Sequence, residues 1–218
     1  NISIAFDAVI ENVITGSGAD VIVGNSANNV ITGGLGGDTI DGDAGIDQAV
    51  YTENFTDVSL VKSGPDWNIV SGTDKDTLSN IERLKFNDKH IALDLDGNAG
   101  KTIKLLGLLL GKDQATNKTY VGTGLKLLDD GMTYEQLMQT ALVVVLGANA
   151  SSLSVVEMIW GNLIGPPTPA DNISQYSALI DNGTYTAAGL AIVAADHSLN
   201  TSAIDLVGLA STGVEYII

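Results

Sequence analysis

The residues of this chain best suited to chemistry recur on a nine-residue beat. Asp20, Asn29, Asp38 and Asp47 stand nine apart inside four ungapped nonapeptides, TGSGADVIV, GNSANNVIT, GGLGGDTID and GDAGIDQAV, which fill residues 15–50. The fourth position reads Gly18, Ala27, Gly36 and Gly45, and the eighth reads Ile22, Ile31, Ile40 and Ala49. Carboxylates beside glycine turns, whose carbonyls are free to face inward, supply hard oxygen donors. The cation that takes six to eight such donors is calcium, so Ca2+ is the expected cofactor.

Those donors need a scaffold that brings distant residues into register. The beat follows the G-G-x-G-x-D-x-U-x pattern of a parallel β-roll: glycines form the half-turn, and the apolar eighth residue lies on a short strand facing inward. Two nonapeptides make one 18-residue coil, which sets Asp20 over Asp38 and Asn29 over Asp47. The expected ligands around the first pair are Gly16, Gly18, Asp20, Gly34, Gly36 and Asp38. Around the second pair they are Asn29, Asp43, Gly45 and Asp47. The first pair is complete. The second is weakened by the neutral Asn29 and by Ala27 at a glycine position, with Asp43 adding charge nearby. Four copies in phase distinguish this pattern from unrelated Gly-Asp turns. An empty coil with stacked carboxylates and few basic neighbours repels itself, so metal binding is expected to be coupled to folding.

Composition agrees and narrows the classes. The 218 residues carry 26 acids against 10 bases, a net charge of −16, which disfavours a nucleic-acid partner. Residues 1–98 hold 16 acids and 5 bases, including the single arginine, Arg83, and residues 99–218 hold 10 and 5. Two regions are therefore expected, 1–97 and 98–218. With no cysteine there is no disulfide framework and no thiolate zinc site. No apolar run reaches the ~18 residues of a membrane span. The first residues lack the basic region of a signal peptide.

Strands are expected to flank the repeats. Upstream, Ile2, Ile4 and Phe6 alternate with polar or small residues, and Val9, Ile10, Val13 and Ile14 follow. Downstream, the strand signals are 58–60, 67–70, 81–86 and 91–93, broken by turns at 63–66 and 71–74.

Residues 1–34, NISIAFDAVIENVITGSGADVIVGNSANNVITGG, resemble the junction where the catalytic domain of serralysin-type secreted metalloproteases passes into a calcium β-roll. Residues 76–100, DTLSNIERLKFNDKHIALDLDGNAG, are similar to the segment closing such rolls in proteins exported by type I secretion. The resemblance implies calcium binding, an extracellular or cell-surface location, and export by type I secretion machinery without a cleaved N-terminal signal. It does not imply proteolysis. The zinc helix H-E-x-x-H-x-x-G-x-x-H needs clustered histidines, whereas the two here, His90 and His197, lie far apart. His90 reads as a strand surface residue, and His197 as a helix C-terminal residue favoured by the dipole.

After Gly97 the spacing becomes helical. Apolar runs end at Gly111 and at Asp129-Asp130-Gly131, and Thr133 with Gln136 opens a helix reaching Gly147. A second set runs from Val155 to Gly165, from Ile173 to Asn182-Gly183, and from Thr186 to Ala195, followed by a last helix from Ser202 toward Tyr216. This reads as two units of about 50 residues whose apolar stripes form core. The half is similar to a small helical domain of unknown function in secreted surface proteins with the motif L-G-R-x-x-D, although Lys112 replaces the arginine. Residues 94–100 begin like an EF-hand loop, but Ala99 and Leu105 occupy its required glycine and glutamate positions, so a helix cap at Asp96 or Asn98 is expected, with a partial calcium site as the alternative. The end, Glu215-Tyr216-Ile217-Ile218, is similar to serralysin-type export signals.

The expected fold is thus β plus α: an N-terminal right-handed parallel β-roll with flanking strands, then an all-α domain of duplicated units. The expected function is a non-enzymatic, calcium-binding module of a type I secreted protein, serving secretion, stability, or surface or matrix assembly with itself or with surface partners. The alternative is the secretion and stabilising region of a serralysin-like zinc metalloprotease whose catalytic domain is not part of this chain.

Overall fold

The computed structural model describes residues 9–218, so the expected strand at Ile2, Ile4 and Phe6 lies outside the described residues. Two compact units divide them: residues 9–94 with 210–215, and residues 95–209 with 216–218.

The first unit is built from strands. Each nonapeptide contributes one three-residue strand ending at or near its ninth position: β2 (Val21–Val23), β3 (Val30–Thr32), β4 (Thr39–Asp41) and β5 (Gln48–Val50), preceded by β1 (Asn12–Ile14). Successive strands alternate between two sheets. β1 and β3 pair in parallel, as do β3 and β5, while β2 pairs in parallel with β4 in the other sheet. Register follows the repeat, since Ile22 lies beside Ile40, and Val13, Ile31 and Ala49 form a matching row. These eighth-position residues point inward, and Ile31, Ile40 and Ala49 are at most 1% exposed. Burying each isoleucine contributes about 1.5–3 kcal/mol, repeated coil by coil.

The repeats end at Val50, but both sheets continue. After a hairpin of β6 (Ser59–Ser63) and β7 (Asp66–Ser71), strand β8 (Asp74–Ser79) returns parallel to β4 and places Leu78 beside Ile40. Strand β9 (Arg83–Lys85) joins β5 in parallel, with Leu84 beside Ala49, and β10 (His90–Ala92) closes back on it antiparallel. The 74–79 strand was not expected. Its sequence DKDTLS is almost wholly polar, yet Asp76 and Leu78 are its buried face.

The second unit is helical: α1 (Asn98–Leu110), α2 (Lys118–Asp129), α3 (Tyr134–Leu146), α4 (Ser152–Leu163), α5 (Ser174–Asp181), α6 (Ala187–Ala195), α7 (Ser198–Ala203) and α8 (Leu206–Thr212). Side-chain caps start several of them. Thr133 and Gln136 form a reciprocal capping box, and the Thr186 hydroxyl accepts from the Gly189 amide at 2.9 Å. Asn162 donates to the carbonyls of Leu108 and Leu109, two of the orphan acceptors at the end of α1. No described helix is long and apolar enough to cross a membrane.

Three expectations fail here. The last helix is interrupted at Asp205, in the left-handed region at φ 51°, and stops at Gly213, φ 70°; the chain then forms β11 (Val214–Tyr216) at the edge of the sheet containing β10. The N-cap of α1 is Gly97, between the two expected candidates Asp96 and Asn98. His197 begins α7 instead of ending α6: its Nδ1 accepts from the Leu199 amide at 3.2 Å.

Candidate metal centre

Because the coils stack in register, the sixth-position acids of the third and fourth repeats meet the backbone of the coil before them. Asp38 Oδ1 accepts from the Asp20 amide at 2.9 Å, and Asp47 Oδ1 from the Asn29 amide at 2.6 Å. The predicted pairs are therefore stacked neighbours. Each acid spends one oxygen on tying coil to coil. The other, Oδ2 of Asp38 and of Asp47, is enclosed and has no hydrogen-bond partner among the described residues.

Two further acids continue these ladders. Asp76 Oδ1 accepts from the Asp38 amide at 2.8 Å, and Glu82 Oε2 accepts from the Asp47 amide at 2.8 Å. The rows thus read Asp20, Asp38, Asp76 and Asn29, Asp47, Glu82. Sequence spacing missed both added residues because they lie 38 and 35 residues on instead of 18. The pairing of β8 with β4 and of β9 with β5 restores the register that the sequence offset hides.

Asn29 ends its row as a neutral cap. Its Oδ1 accepts from the Asn25 amide at 2.8 Å and its Nδ2 donates to the Ile10 carbonyl at 3.2 Å, a donation no carboxylate could make.

The glycines supply the closeness this stacking needs. Gly34 and Gly36 have φ of 93° and 113°, and a Cβ on them would lie 1.9 Å from the Gly16 carbonyl oxygen and 2.6 Å from that of Gly18. Gly45, φ 136°, faces the Ala27 carbonyl in the same way, so the alanine does not break the turn. Asp43 adopts φ 68° in an exposed turn, where its amide donates to Asp41 Oδ1 at 3.1 Å. First-position glycines, absent from the predicted set, matter as well. A Cβ on Gly33 would sit 2.2 Å from Asp38 Oδ2, and one on Gly42 2.7 Å from Asp47 Oδ2. The repeat's first position, Thr15, Gly24, Gly33, Gly42, already carried that signal.

The electrostatics are one-sided. Asp20, Asp38, Asp47 and Asp76 make no ion pair among the described residues, and the lone arginine pairs with Asp94 instead. Burial raises the Asp47 carboxyl above its ordinary range, and Asp43 and Asp41 add to the effect. Burial likewise raises Asp76, with Asp38 and Glu53 adding repulsion, and raises Glu82, with Asp47 and Asp94 adding. Tyr51 is pushed far up by burial and by Asp76. His90 is lowered by burial and then by Lys85, and it stands apart from the ladders on β10.

A small cavity of about 20 Å³ opens beside the first row, lined by Gly34, Gly36, Tyr51, Glu53, Asp74 and Asp76. That is room for one water-sized occupant. Among the described residues no three acid or imidazole side chains converge as a ligand set by themselves. A cation here would need backbone carbonyls for much of its shell. The donor set fits that requirement: buried carboxylate oxygens without hydrogen-bond partners among the described residues, in a glycine-rich turn with no thiolate and no clustered imidazole, which is the chemistry of a hard divalent ion.

No curated protein matches the chain. Residues 1–120 match the family described as Peptidase M10 serralysin C terminal, a span covering all of the strands but β11 and reaching into the first helices. Over half its length is matched, and the chain belongs to the Peptidase M10 serralysin C-terminal family.

Proposed function

We propose that residues 9–94 form an RTX-type, right-handed parallel β-roll that binds calcium and folds with it, as a non-enzymatic module of a type I secreted extracellular protein. The observation that carries this reading is the pair of enclosed oxygens, Asp38 Oδ2 and Asp47 Oδ2, which have no hydrogen-bond or ion-pair partner among the described residues. Calcium would supply positive charge to these enclosed oxygens. Asp20, Asp38 and Asp76 would face it along one row and Asp47 with Glu82 along the other, with carbonyls of Gly16, Gly18, Gly34, Gly36 and Gly45 completing the shell and Asp43 adding charge.

In a cell, submicromolar calcium would leave these carboxylates mutually repulsive and the segment unfolded, which suits passage through a secretion channel. Millimolar calcium outside would close the coil. The test is a calcium titration followed by circular dichroism in the parent chain and in Asp38→Ala and Asp20→Ala. Strand signal should grow with calcium and require at least ~10-fold more metal in Asp38→Ala. Equal strand content in excess chelator would remove the folding switch.

The family match also favours a second reading, in which this chain is the secretion and stabilising region of a serralysin-like metalloprotease. Reading the coding sequence upstream of residue 1 for H-E-x-x-H-x-x-G-x-x-H separates the two.

A further inference from the structure

Seven of the chain's 16 asparagines begin the triplet Asn-x-Ser/Thr, with x never proline, although serine and threonine together make up only 33 of the 218 residues. That triplet is the acceptor pattern for asparagine-linked sugar, and the hydroxyl two residues on is within reach of the amide to be modified. Asn1 lies outside the described residues. The other six, Asn54, Asn117, Asn149, Asn172, Asn182 and Asn200, differ in what their side chains do.

Four of them are spent on structure or lack the contact with their own hydroxyl. Asn200 is 2% exposed, and its Nδ2 donates to the carbonyls of Lys104 and Ala195. Asn117 caps α2: its Oδ1 accepts from the Tyr120 amide at 3.3 Å and its Nδ2 donates to Gln114 Oε1 at 3.1 Å. Asn54 Oδ1 accepts from Asn87 Nδ2 at 3.3 Å. In the Asn149 triplet the hydroxyl of Ser151 is the cap of α4, accepting from the Ser154 amide at 3.1 Å.

Asn172 and Asn182 are built differently. Ser174 Oγ donates to Asn172 Oδ1 at 3.0 Å, and Thr184 donates to Asn182 Oδ1 from its hydroxyl at 2.6 Å and from its amide at 2.9 Å. Both asparagines are exposed, and the Nδ2 of each donates to no described residue. A hydroxyl donating to the amide oxygen draws electron density from the nitrogen and fixes which side of the amide faces out. The two residues flank α5, a helix that buries only Ser177, so a group attached at either end extends into solvent. Cyclisation of Asn182 onto the next residue, the common fate of Asn-Gly, is opposed because the Gly183 amide is engaged with the Ile180 carbonyl at 3.0 Å.

We propose that Asn172 and Asn182 are glycosylation sites, each taking a sugar on Nδ2 from a glycosyl diphosphate through a cellular glycosyltransferase. In that step Nδ2 bonds to the anomeric carbon, the bond from that carbon to the diphosphate oxygen breaks with its electron pair leaving on the diphosphate, and a base of the transferase takes one amide proton. Both acceptors lie in the helical unit, so the proposal stands whether or not the strand unit binds calcium.

The test takes the full chain from the cells that naturally make it and locates sugar residue by residue with electron-transfer mass spectrometry of its peptides. Asn172 and Asn182 should carry sugar in most molecules, and Asn117 and Asn200 in none. Made in the same cells, Thr184→Ala should lose the sugar at Asn182 alone and Ser174→Ala at Asn172 alone, while Thr184→Ser and Ser174→Thr keep it. These positions are exposed, so the helical signal should be unchanged in all four variants. Asn182→Gln, which keeps an amide one methylene further out, removes that site without touching the hydroxyl and keeps the test decisive if an alanine variant unfolds. The proposal is overturned by bare asparagine at both positions, by equal sugar at Asn117 or Asn200, by a Thr184→Ala chain that keeps its sugar, or by conversion of Asn182 to aspartate as the only change.

Discussion

The two units of this chain hold themselves together in different ways. In the strand-built unit, each three-residue strand is too short to be stable alone, and the buried isoleucine rows are flanked by carboxylates with no basic partner. In the helical unit, helix ends are capped by Thr133, Ser151 and Thr186, and helices are tied to one another by hydrogen bonds such as Asn200 Nδ2 to the Lys104 carbonyl at 2.9 Å. The contrast teaches that one unit has local propensity to fall back on and the other depends on its environment for charge balance.

Removing calcium should divide them most sharply. In excess chelator the strand signal is expected to vanish while the helical signal persists, so far-ultraviolet circular dichroism and hydrogen exchange should show protection confined to residues 95–209. Loss of both signals together would erase the distinction.

Gly34→Ala comes next in size. At φ 93° a Cβ is strained, and it would collide with the Gly16 carbonyl, so a cost of roughly 2–3 kcal/mol to the strand unit is expected, read as a higher calcium midpoint with the helical melt unmoved.

Acid should act on the strand unit with opposite signs in the two metal states. Without metal, the raised carboxyls of Asp47, Asp76 and Glu82 hold protons more tightly folded than unfolded. Their contribution is complete below the ordinary values of 3.8 and 4.5 and is lost as pH rises through the raised values. In chelator, acidification from about pH 7 toward pH 4 should therefore restore part of the strand signal; in calcium it should weaken binding, because protons compete for the ligands. A chelated chain that loses strand signal on mild acidification would contradict this.

The smallest effect is expected in the other unit. Thr133→Ala removes one half of a capping box and should lower the helical transition by ~1 kcal/mol without changing the calcium midpoint, as thermal unfolding at fixed calcium would show.

Legibility in the sequence followed the same divide between regular and irregular devices. The nine-residue beat exposed the stacking of Asp20 over Asp38 and the inward isoleucines, because one period governs both the acid and the apolar positions. Helix boundaries were readable from glycine stops such as Gly111 and Gly147 and from the Thr133 box. What escaped was non-periodic. Strand β8 hides because its buried face is Asp76 and Leu78, and an inward acid reads as loop, so the continuation of the ladder escaped with it. The terminal strand escaped because Gly213 reverses a chain that propensity alone carries on as helix.

Counting the metal directly tests the central claim. The chain, gel-filtered after equilibration in millimolar calcium, should carry at least one calcium ion by elemental analysis, and the Asp38→Ala, Asp47→Ala double variant should carry none. A parent chain that emerges free of calcium with its strand signal intact would contradict the account.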